Sequence, residues 1–146
     1  MGQSLFSGPL RAGTVRENGS TNVGNVVLSQ SYDSGDLTGD EAGNYDVLMG
    51  RLPAGSQIVD IVIDQVVAAA TGTTTVSVGT ASGGAQLAAA VNTSAGGRFR
   101  GTPTAATQLA WQTSATADTA VYVRNVVGTD TLTAGRFIVT ILYVQK

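Results

Sequence analysis

From about residue 22 onward the chain alternates short β-branched apolar runs with clusters of Gly, Ser, Asp and Asn. The spacing of about 8 to 12 residues between these clusters is that of an all-β domain. Strands are predicted near 24–31, 45–51, 57–68, 73–80, 108–113, 119–126 and 135–145, and segment 85–91 reads as a weak strand or a helical turn. No window carries apolar residues at i, i+3, i+4 and i+7 long enough to predict a long helix. Seven or eight short antiparallel strands bury a common face most simply as two packed sheets, so the pattern predicts a β-sandwich or jelly roll. The last strand, GRFIVTILYVQ, is apolar on both faces. That predicts a central strand, or one whose outer face meets a neighbouring subunit.

Residues 1–21 show neither period. They hold Gly2, Gly8, Gly13 and Gly19 with few apolar groups, which predicts an extended N-terminal arm preceding a domain of residues 22–146. Leu5, Phe6, Pro9, Leu10 and Val15 are the arm's apolar anchors, and Arg11 and Arg16 its cations.

In the run LPAGSQIVDIVID the alternation of strand side chains places Val59, Ile61, Ile63 and Val67 on one face. Ile58, Asp60, Val62, Asp64 and Val66 take the other. The first set is expected to be core. Asp60 and Asp64 then stand about 13 Å apart at roughly 3.3 Å per residue, wider than the roughly 5 to 9.5 Å between paired glycosidase carboxylates. Their expected role is solubilising, or pairing with arginines within or between subunits. In QLAWQT the same alternation puts Leu109 beside Trp111, and Trp111, Tyr122 and Tyr143 are candidate core or subunit-contact anchors.

Composition narrows the function. Only 12% of the 146 residues are charged, against about 25% in typical soluble proteins. A surface so poor in charge is expected to be covered by partner subunits. Cys and His are both absent, which removes thiolate nucleophiles, Cys-based metal sites, Ser-His-Asp triads and the usual proton shuttle near neutral pH. Neither G-x-S-x-G nor a phosphate-cradling glycine loop occurs. The eight basic residues are scattered singly and the net charge is −2, so nucleic acid is not an expected partner. No apolar run approaches the roughly 20 residues of a membrane-spanning helix. The N-terminus lacks a secretory apolar stretch, which makes cytoplasmic synthesis the expectation.

The stretch YDSGDLTGDEAGNYD collects Asp33, Asp36, Asp40, Glu41 and Asp46 without a basic residue. Oxygen ligands in a glycine-rich loop suit calcium, and Asp33, Asp36 and Asp40 are the weak metal candidates. The spacing departs from the EF-hand pattern, and a solvated connection with no cofactor is the expected reading.

The chain resembles the small head-decoration, or cement, proteins of tailed bacteriophages. The resemblance spans most of the chain and rests on patterns of turns and strands. These are Ser7-Gly-Pro-Leu-Arg-Ala-Gly13, Asn22-Val-Gly-Asn-Val-Val-Leu-Ser-Gln30, Leu52-Pro-Ala-Gly55, Thr75-Val-Ser-Val-Gly-Thr80 and Thr133-Ala-Gly-Arg-Phe-Ile-Val-Thr-Ile-Leu-Tyr-Val144. It implies a non-enzymatic homotrimer on the outer surface of an assembled virion, held to the major capsid protein. The arm would lie across the shell, with Leu5, Phe6, Pro9, Leu10, Arg11 and Arg16 as contacts. Competing readings are a glycan-binding receptor module using Trp111 and Asp118, and another virion part such as a tail, head-fibre or head-completion protein. A hydrolase using Asp60 and Asp64 is a distant third.

Overall fold

In a computed structural model of the chain, residues 26–102, 105–112 and 116–145 are described. Eight strands and one short helix follow in order: β1 (Val27–Asp33), β2 (Gly43–Leu52), β3 (Ser56–Ala70), β4 (Thr74–Gly79), β5 (Ala88–Asn92), β6 (Gly97–Arg100), α1 (Ala105–Gln112), β7 (Thr119–Val127) and β8 (Ala134–Gln145). The strands form two four-stranded antiparallel sheets, ordered β1-β8-β3-β6 and β2-β7-β4-β5. Strand 1 pairs with 8, 2 with 7, 3 with 6 and 4 with 5. The topology is therefore that of one long antiparallel ribbon rolled over on itself, with the extra pairings of β3 to β8 and β4 to β7 closing the two sheets. That arrangement is a jelly roll.

Turn chemistry sets where the chain changes sheets. Leu52-Pro-Ala-Gly55 carries it from β2 to β3, with Gly55 at φ +81°, a backbone region that a side chain disfavours. Ser56 N–H donates to Pro53 carbonyl at 3.1 Å, and Ala54 N–H donates to Asp118 Oδ1 at 3.0 Å, holding the turn to the start of β7.

The core fills the space between the sheets with Ile58, Ile61 and Ile63 of β3, Val76 and Val78 of β4, Val121, Val123 and Val127 of β7, and Phe137, Val139, Ile141 and Tyr143 of β8. β8 lies between β1 and β3, which explains its two apolar faces. Its outward Ile138, Thr140 and Leu142 are half-buried beneath neighbouring strands.

The face assignment within β3 differs from strict alternation. Ile58 is buried, whereas Val59 and Val67 are exposed. The register with β8 slips between Ile58 and Asp60, and again between Gln65 and Val67. Each slip inserts one extra residue and turns the following side chains to the opposite face. Segment 85–91 resolves into the short strand β5, and β6, a four-residue strand, lies in a region where no strand was predicted. Residues 108–112 of the stretch predicted as a strand at 108–113 belong to α1. Ala, Leu and Gln dominate that helix and are intrinsically strong helix formers, so propensity prevails over a brief coincidence of alternation. Helical spacing separates Leu109, 67% exposed, from buried Trp111.

The two long sides of the sandwich differ. Just past β6, Gly101 stays on the β3 ladder through its N–H, which donates to Ile61 carbonyl at 2.9 Å, and there the sheets touch. A Cβ on Gly101 would lie 2.8 Å from the Cβ of Ala88. On the side of β1 and β2 the sheets gape, and inward-facing Leu28, Tyr45 and Val47 stay partly exposed. There Gln30 bridges the gap, its Nε2 donating to Arg51 carbonyl at 2.7 Å.

The tight side is sensitive to one methyl group. Gly101→Ala is expected to destabilise the fold by about 1 to 3 kcal/mol, because the new methyl meets a Cβ that cannot rotate away. A lower urea midpoint at unchanged slope is the expected result; an unchanged midpoint would show that the sheets separate freely there.

Candidate interaction surfaces

Four aspartate–arginine pairs lace the strands. Arg98 Nε lies 2.6 Å from Asp64 Oδ1, and Arg100 Nη1 lies 3.0 Å from Asp60 Oδ2. Arg136 Nη2 lies 2.6 Å from Asp33 Oδ2, and Arg124 Nε is 3.9 Å from Asp46 Oδ1. Strand register explains the partners: Asp64 faces Arg98 across β3 and β6, and Asp46 faces Arg124 across β2 and β7. Asp60 and Asp64 thus serve as the acidic halves of cross-strand pairs on the outer face of the first sheet.

The acidic loop is likewise committed to its own structure. The guanidinium of Arg136 pairs with Asp33 through two hydrogen bonds, and Gly35 N–H adds a third. That environment lowers the Asp33 pKa to about 2. The hydroxyl and backbone N–H of Thr38 both donate to Asp36 Oδ1 and hold its carboxyl below the ordinary range. Leu37 is buried; its N–H donates to Gly135 carbonyl at the start of β8, and Gly39 N–H and the Asp40 carbonyl bond to Leu132 in the turn between β7 and β8. Among the described residues no three carboxylates converge in a way that could hold a metal ion. Asp33, Asp36 and Asp40 therefore do not form a shared ligand set.

Trp111 is 9% exposed, and its Nε1–H donates to the Leu87 carbonyl at 2.7 Å. It closes one end of the sandwich, where a cavity of about 220 Å³ is lined by residues including Leu52, Ser56, Ile58, Leu87 and Ala110. A buried indole offers no stacking face to a sugar, and Asp118 instead caps the turn at Ala54. Tyr143 lies in the core. Tyr122 is half-buried on the outer side of β7, opposite Leu48. The arm positions Leu5, Phe6, Pro9, Leu10, Arg11 and Arg16 lie outside the described residues.

Several large apolar side chains remain on the surface. Val26, Val27 and Leu48 are exposed around the β1 and β2 edges, and Val59 and Val66 on β3. Among the described residues, each edge strand leaves one row of backbone groups without a strand partner. Sequence reasoning placed Val66 outward but missed Val59 and Val67, which the β3 bulges turn outward only once the register with β8 is known.

No family model and no curated protein matches the chain. Three solved structures share its fold. A chain in the acidic stable capsid structure of Helicobacter pylori bacteriophage KHP30 matches at TM-score 0.56 and 17% identity, covering 82% of this chain and 87% of that one. A chain in the capsid of Ralstonia phage GP4 matches at TM-score 0.58 and 24% identity, covering 90% and 92%. A chain in the capsid asymmetric unit of cyanophage Pam1 matches at TM-score 0.56 and 20% identity, covering 92% and 94%.

Because Asp33 is held near 2 when folded and an unfolded aspartate titrates near about 3.9, its pairing favours the fold above about pH 4. That contribution fades as pH falls toward 2. Asp33→Asn is expected to flatten the acid limb of a stability-versus-pH curve by lowering stability at pH 7 while changing little near pH 2. An acid limb that stays as steep as in the parent protein would assign acid sensitivity to other carboxylates.

Proposed function

We propose that this chain is a non-enzymatic virion structural protein that sits on the outside of an assembled phage capsid and stabilises it. The observation that carries the reading is the near full-length match to chains of three phage capsid structures, with between 87% and 94% of each covered. The surface supports it. Most described arginines are already paired with aspartates, Val26, Val27, Leu48, Val59 and Val66 are exposed, and the acidic loop is stitched to its own fold. Such a surface suits wide, shallow packing against protein. No cofactor is part of the proposal.

The stabilising mechanism follows from mass action. A protein that binds the assembled lattice and not the free subunits shifts the assembly equilibrium by its differential affinity. As a homotrimer it would join three weak attachments into one strong one through effective concentration, provided the three arms reach their sites together. The arm residues Leu5, Phe6, Pro9, Leu10 and Arg11, with Arg16, are assigned to the major capsid protein in this account.

The test uses preformed capsids. The full-length protein is expected to bind and to appear in particle images as added density at local three-fold positions, with a solution mass of three chains. Deleting residues 2–20 is expected to weaken binding at least about a hundredfold, the loss of roughly 2.7 kcal/mol per arm-bearing particle. Undiminished binding by the truncated protein would remove the arm from the account. A hexameric ring, or density at a tail vertex, would move the chain to a different virion part.

A further inference from the structure

We draw no further inference here: the strongest candidate, the cavity of about 170 Å³ between β1 and β2 where Asn125 is buried without a hydrogen-bond partner among the described residues, carries nothing because nothing in the structure shows what fills it.

Discussion

Everything in this molecule depends on β8 lying between β1 and β3. That one strand hydrogen-bonds on both edges and contributes Phe137, Val139, Ile141 and Tyr143 to the inter-sheet core. Burying these side chains is the main driving force available to a chain with few charges and no disulfide. Because β1 opens the described fold and β8 ends it, the core forms only when sequence-distant segments meet. Folding must therefore close a long loop before most of the burial is gained. Once β8 is placed, antiparallel pairing determines which residues stand opposite on β1 and β3, and the Asp33–Arg136 pair follows from it.

The sequence made the two-faced apolar character of β8 legible, along with the turn at Leu52-Pro-Ala-Gly55 and the general strand rhythm. These are local signals, written in residues adjacent along the chain. The bulges of β3 were hidden, since a bulge is a mismatch between two strands and nothing in QIVDIVIDQVV alone fixes where the extra residue falls. Val59 and Ile58 exchanged faces for that reason. α1 was hidden by its brevity: in eight residues, periods of 2 and 3.6 cannot be told apart, and Trp111 fits either. β6 carries only Gly-Arg-Phe-Arg and becomes a strand because β3 offers it partners.

The candidate surfaces were less legible than the fold. The stretch 32–46 reads in sequence as uncompensated acid, but its compensation comes from Arg136, more than a hundred residues away. Asp60 and Asp64 similarly meet Arg100 and Arg98 only through strand pairing. Exposed pairs of this kind add little stability each. They tie each of these carboxylates to an arginine on the neighbouring strand.

The contrast between the two sides of the sandwich links the fold to its partners. At Gly101 and Ala88 the sheets are closed to the limit of contact, so that side has no freedom to receive anything. At β1 and β2 the sheets are held apart, spanned by Gln30 and floored by Asn125. β1, the first described strand, runs along the edge of that open side. Any group that enters the sandwich must therefore do so from there, where Asn125 is buried without a hydrogen-bond partner among the described residues.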